Sequence, residues 1–151
     1  MTENQADANP SGYAREGLSQ VGDPELDAQH LRILQALERL DESLRGPFPL
    51  ATLGARLKQL EDYVLEHFRD EEARLELAGY PLLLPHRAEH EVLVERCRGL
   101  IDQFSSPDSP PLATLAEMFA TIFLAHIREV DTDYAAFLEE AKRTSLLVGS
   151  V

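Results

Sequence analysis

Four stretches of this chain repeat their apolar residues at the spacing of an α-helix, and each of the four stripes carries histidine among the leucines, valines and phenylalanines. Leu26, Ile33, Leu34 and Leu37 share a face with His30. Leu60, Val64 and Leu75 share one with His67 and Glu71, Leu93, Val94 and Cys97 with His86 and His90, and Phe119, Ile122, Phe123 and Ile127 with His126. Asp23 is placed to cap the first helix, with Pro24 at its first position and Glu25 near the positive end of its dipole, and Gly46-Pro47 stops it. The second stripe runs from Leu50 to Gly79-Tyr80-Pro81, the third from Leu83 to a Ser/Pro/Asp connector at 105–111, and the fourth from Leu112 to about Arg143. No run alternates with a period of two, so no strand is predicted. Such helices with short connections pack as an all-α, antiparallel up-down-up-down four-helix bundle, here over residues 23–143. The polar stretch 1–22, broken by Pro10, Gly12, Gly17 and Gly22, reads as an N-terminal arm that Tyr13, Leu18 or Val21 can tack down, and 144–151 as a C-terminal tail.

The histidines are the informative exceptions to the apolar pattern, because burying a polar group without a partner costs roughly a few kcal/mol. All five lie on a predicted core face, and Glu71 and Asp131 join them. Taken singly, His30 reads as a satisfied core histidine, Glu71 as a salt-bridge partner and Asp131 as a solvated face residue. Taken together, those readings need separate coincidences on every helix, and one metal-binding layer replaces them all. Imidazole and carboxylate without thiolate suit a first-row transition ion, whereas calcium or magnesium calls for oxygen alone. His67/Glu71 and His86/His90 are each four residues apart, so each pair points two donors at one place in the core. Five residues separate His126 from Asp131. That spacing turns a straight helix by about 140°, so the two converge only if the helix widens locally, as a π-bulge does, or if a ligand reaches round.

Charge and composition remove other classes. With 14 Lys+Arg against 27 Asp+Glu, the formal net charge of -13 repels phosphate backbones and anionic membrane surfaces, so neither nucleic acid nor membrane is expected as a partner. No uncharged stretch approaches the length of a membrane span. The single cysteine, Cys97, cannot form an internal disulfide and reads as a small buried hydrophobe, which favours a reducing, cytoplasmic location. Oligomeric state is expected to be monomer or weak homo-oligomer, with no protein partner identified.

Several strings now align with a known pattern. Asp27-Ala28-Gln29-His30, His67-Phe68-Arg69-Asp70-Glu71-Glu72, Tyr80-Pro81 followed by His86 and His90, and His126-Ile127 followed by Asp131 and Tyr134 closely resemble the hemerythrin family, in particular its bacterial members. That family folds as an up-down four-helix bundle, so the resemblance implies the same fold. The resemblance implies a non-haem, oxo- or hydroxo-bridged di-iron centre with two iron ions per chain, binding dioxygen. By analogy Glu71 and Asp131 bridge the irons, His86, His90 and His126 complete one, and His30 with His67 hold the other. If each iron takes about six ligands, the vacancy falls on the iron with fewer histidines. Phe68, Phe123 and Ile127 sit one turn or less from His67 and His126, where they belong to the bundle core and would also keep water and stray protons from the oxygen pocket. Tyr63 and Tyr134 are spaced either to hydrogen-bond a ligand or to pack with the hydroxyl at the surface.

The chain departs from the family in having no tryptophan. Tyr13 stands near the first missing Trp and Ile122 or Phe123 near the second, while Leu75 replaces a common Met. The leading expectation is an oxygen carrier or store without catalytic residues. The alternatives are an oxygen or redox sensor acting in trans and a di-iron oxidoreductase that consumes peroxide or nitric oxide, with weak peroxidase activity as its mildest form. The Glu-x-x-His pairs of ferritin-like oxidases are absent, and His86-Arg87-Ala88-Glu89-His90 lacks the Glu after the first His that a zinc protease needs.

Overall fold

Asp23 starts the first helix as its position predicts: its carboxylate accepts the amides of Glu25 and Leu26 at 3.0 and 3.2 Å, with Pro24 in the first turn. The computed structural model describes residues 21–104 and 112–148. Its helices are α1 (Pro24–Arg45), α2 (Leu50–Ala78), α3 (Leu83–Phe104), α4 (Leu112–His126), one π-helical turn (Ile127–Asp131) and α5 (Thr132–Val148). α4, the π turn and α5 run on without a break and form the fourth rod of the bundle. Among the described residues there is no strand. Tyr13, Leu18 and the 105–111 connector lie outside the described residues.

Short turns join the first three helices, which forces antiparallel neighbours, and the ring closes where α4 packs against α1. Gly79 ends α2 in the left-handed region at φ +72°, its amide bonded to Glu76 O while the Tyr80 amide reaches Leu75 O. A side chain there would strain the turn that delivers α3. The last helix continues past Arg143 to Val148, further than the apolar period reaches, and Thr144 Oγ1 bonds back to Glu140 O within it. Nothing between Arg143 and Val148 breaks a helix, whereas the apolar stripe that marked it from sequence stops earlier. Val21 is buried against Leu26, Leu75, Tyr80 and Tyr134, and its amide is held by Asp27 Oδ1 at 2.8 Å.

The core divides into two apolar layers. The larger gathers Ile33, Leu37, Leu60, Val64, Phe68, Leu93, Phe119 and Phe123 among others; the smaller holds Val21, Leu26, Leu75, Tyr80 and Tyr134. On each rod the histidines fall between a residue of one layer and a residue of the other, as His30 does between Leu26 and Ile33. A polar sheet one or two side chains thick is therefore enclosed by hydrocarbon above and below. Among the described residues no helix is long and apolar enough to cross a membrane.

Candidate metal centre

All seven residues singled out from sequence as ligands, His30, His67, Glu71, His86, His90, His126 and Asp131, converge in this layer and are buried. Their donor atoms form two groups, each within 4.8 Å: Glu71, His86, His90, His126 and Asp131 in one, and His30, His67, Glu71 and Asp131 in the other. Glu71 and Asp131 belong to both. Glu71 Oε1 faces His86 Nε2 at 2.5 Å and His90 Nε2 at 3.0 Å, while Oε2 faces His67 Nε2 at 3.1 Å and His30 Nε2 at 3.6 Å. Asp131 Oδ1 lies 3.1 Å from His126 Nε2, and Oδ2 lies 3.2 Å from His30 Nε2.

The π turn over Ile127–Asp131 resolves the awkward spacing of the last pair. The extra residue in the turn rotates Asp131 back onto the face of His126, which is the first of the two ways the spacing allowed.

Outward-facing ring nitrogens are held by a set of residues that the sequence reading did not pick out. His67 Nδ1 meets Gln29 Oε1 at 2.8 Å, His90 Nδ1 meets Glu72 Oε1 at 2.7 Å, and His126 Nδ1 meets Glu89 Oε2 at 3.2 Å. Each buttress flanks a ligand in sequence and serves a ligand on the next helix round the bundle. Gln29 adjoins His30 and reaches α2; Glu72 adjoins Glu71 and reaches α3; Glu89 adjoins His90 and reaches α4. That adjacency was the available signal, because a residue one step from a core ligand sits on the helix shoulder turned towards a neighbour. Tyr134, predicted to approach the ligands, donates its hydroxyl to Glu71 Oε2 at 2.7 Å. Tyr63 is not brought to the ligand layer. It sits at the edge of the α2 stripe, half-buried against the larger core cluster, with the Arg32 guanidinium 5.2 Å above its ring.

Phe68 stacks on His90 with ring centroids 3.8 Å apart and planes 5° from parallel, and it also approaches Phe123 and His126. Phe123 and Ile127 are fully buried beside it. Ile122 is only half-buried and packs against this cluster.

The electrostatics show why this layer suits a cation. A neutral imidazole has one N–H and one lone pair. His67, His90 and His126 each spend the N–H outward from Nδ1, so their Nε2 lone pairs face carboxylate oxygens about 3 Å away. Two acceptors at that distance repel unless a proton or a metal ion lies between them. His30, His67, His90 and His126 Nε2 and both Asp131 oxygens are buried without a hydrogen-bond partner. Such orphaned atoms, all nitrogen and oxygen, fit a borderline first-row divalent ion. The protonation equilibria show the same strain. Burial alone would push the His30 imidazole down, but the Asp131 and Glu71 carboxylates beside it override that and lift the ring to about 9. His126 is likewise raised against burial, chiefly by Asp131, whereas burial prevails at His67 and lowers it. Glu71 is held well below the ordinary carboxylate range, because four histidines outweigh its burial. Burial and the nearby Glu71 and Asp131 charges push the Tyr134 phenol up, so it stays a donor.

The family model described as the Hemerythrin HHE cation binding domain matches residues 21–138 of this chain. A bacteriohemerythrin of Stenotrophomonas maltophilia (strain R551-3) is 32% identical over 117 residues, 76% of this chain and 74% of that protein. A bacteriohemerythrin of Methylococcus capsulatus (strain ATCC 33009 / NCIMB 11132 / Bath) is 30% identical over 113 residues, 74% of this chain and 85% of that one. Among solved structures, a wild-type hemerythrin superposes with a TM-score of 0.71 at 26% identity, covering 87% of this chain and 98% of that one.

Proposed function

The chain belongs to the hemerythrin family, and on that premise we propose that it binds dioxygen reversibly at a pair of iron ions, as a carrier or store rather than an enzyme. One observation carries the reading: two donor groups share Glu71 and Asp131, and their imidazole lone pairs face those carboxylates across gaps that only cations or protons can fill. Iron bound there would supply the electrons and the open coordination position that dioxygen binding requires.

The chain's own side chains divide the remaining work. His86, His90 and His126 would hold one ion and His30 with His67 the other, with Glu71 and Asp131 shared. The second group has four protein donors against five, so an ion there would be the one left open to dioxygen. Phe68, Phe123 and Ile127 close the layer with hydrocarbon, keeping water and stray protons from the centre and favouring release of the gas over its reduction. Tyr134 holds its proton on Glu71 Oε2 and fixes the direction of that carboxylate. The reading includes a cytoplasmic location, since the lone thiol of Cys97 is buried and pushed up to about 12 by burial, unsuited to disulfide chemistry.

The test is reconstitution with ferrous iron under argon, followed by cycles of air and argon. Two irons per chain and a visible charge-transfer band that comes and goes are expected. Irreversible bleaching, or turnover of added peroxide or nitric oxide, would replace the carrier by the oxidoreductase. Failure to load two irons would end the proposal.

A further inference from the structure

Resting on the reading of the layer as a metal centre, we propose that Asp70 and Gln29 form a positioning relay that locks the His67 proton on Nδ1 and so presents the Nε2 lone pair to the second cation position. Gln29 is buried, 4% exposed; its Nε2 donates to Asp70 Oδ2 at 2.8 Å and its Oε1 accepts from His67 Nδ1 at 2.8 Å. A carboxamide has nearly the same shape either way round, so its partners decide its direction. Asp70 as a carboxylate can only accept, so it takes the NH2 end. The oxygen must then face His67, and His67 must donate from Nδ1. Its one remaining lone pair lies on Nε2, directed at the shared Glu71 Oε2 at 3.1 Å.

The inverted amide would set Gln29 Oε1 against the Asp70 carboxylate. It would also aim an N–H at His67 Nδ1, driving the ring proton onto Nε2, where it would block the ligand atom. His90 and His126 need no such anchor, because Glu72 and Glu89 are carboxylates that accept in either orientation. An amide buttress alone is ambiguous, and Asp70, reaching Gln29 from α2, removes the ambiguity. The relay acts through His67 and touches no ion itself.

The relay makes an exchange testable. Asp70→Asn offers both a donor and an acceptor, so Gln29 can turn over. The double variant Gln29→Glu/Asp70→Asn swaps acid and amide. The amide now at position 70 donates to the carboxylate now at position 29, which again accepts from His67 Nδ1. The full chain would be studied by histidine two-bond 1H–15N correlation spectra in its metal-free form and by zinc titration against a chromogenic chelator. Wild type should show His67 as the Nδ1–H tautomer and take up two zinc ions. Asp70→Asn should populate the Nε2–H tautomer and weaken one of the two zinc ions by about 10–100-fold, with helicity retained, and the double variant should restore both readouts. A wild-type His67 in the Nε2–H form would overturn the relay. So would an Asp70→Asn variant with tautomer and both affinities unchanged, or a double variant that is not rescued. Wild-type protein that binds fewer than two zinc ions would overturn the metal-centre reading itself, and the relay with it.

Discussion

Replacing Tyr134 by Phe deletes one oxygen from the best-packed part of the centre. The ring remains against Tyr80 and His86, whose centroids lie 6.4 and 5.3 Å away, so little packing changes. What is lost is the 2.7 Å hydrogen bond to Glu71 Oε2, between two residues that are both 0% exposed. A hydrogen bond to a charged acceptor contributes about 1.5–3 kcal/mol. In the metal-free protein the other neighbours of Oε2 are His67 at 3.1 Å and the more distant His30 at 3.6 Å, and the His67 proton points away from it. Only the raised, protonated His30 can compensate, and at 3.6 Å it does so weakly, so the loss should be about 2 kcal/mol, or a melting shift of about 4–8 °C for a chain of this size. With metal bound, cations hold the same carboxylate, and the loss should fall to about 1 kcal/mol.

Urea unfolding followed by far-UV circular dichroism, on chelator-treated and zinc-loaded protein at unchanged m, reads both values. The pH dependence adds a second check. Glu71 is depressed below the ordinary carboxylate range, so its stabilisation is present above that range and is lost as pH falls through the folded value. Removing a donor to the carboxylate raises that value, so acid unfolding of Tyr134→Phe should begin at a higher pH. A destabilisation of the metal-free protein below about 0.5 kcal/mol, or equal losses with and without zinc, would refute the reasoning.

In metal-free protein the raised His30, at about 9 against 6.5 for a free ring, stabilises the fold fully below pH 6.5 and progressively less as pH rises through 9. Chelator-treated protein should therefore lose stability across that window in thermal melts, and zinc-loaded protein should not. Phe68 walls the centre off from a groove of about 850 Å³ between α2 and α3 that also reaches His90 and Val94. Phe68→Ala should cost about 3–5 kcal/mol in denaturant and shorten the lifetime of the visible band of iron-loaded protein in air, while Phe68→Leu preserves most of both. Gly79→Ala, placed at φ +72°, should cost about 1–2 kcal/mol in thermal unfolding, leaving metal stoichiometry at its wild-type value.

The ligand set was legible because a buried polar side chain on an apolar stripe contradicts its own surroundings, and periodicity exposes the contradiction. His67 and Glu71, or His86 and His90, declare a shared target through i, i+4 spacing alone. The His126/Asp131 interval called for a wide turn or a ligand reaching round, and the π-helix over Ile127–Asp131 supplies the first. Tyr63 shows where this logic stops. It lies one turn before His67 at the edge of that stripe, and its ring turns to Arg32, since a few tens of degrees at a stripe's edge choose between core and shoulder.

By itself, then, the sequence determined the helices, their apolar faces and which side chains meet in the core, because those follow from a period that each helix carries within its own residues. Only the tertiary structure decided which nitrogen of His67, His90 and His126 faces inward. That choice belongs to Gln29, Glu72 and Glu89, each acting on a histidine 18 to 38 positions away on the next helix. A hydrogen bond across a helix interface depends on how two rods rotate against each other, and no pattern within either rod records that angle.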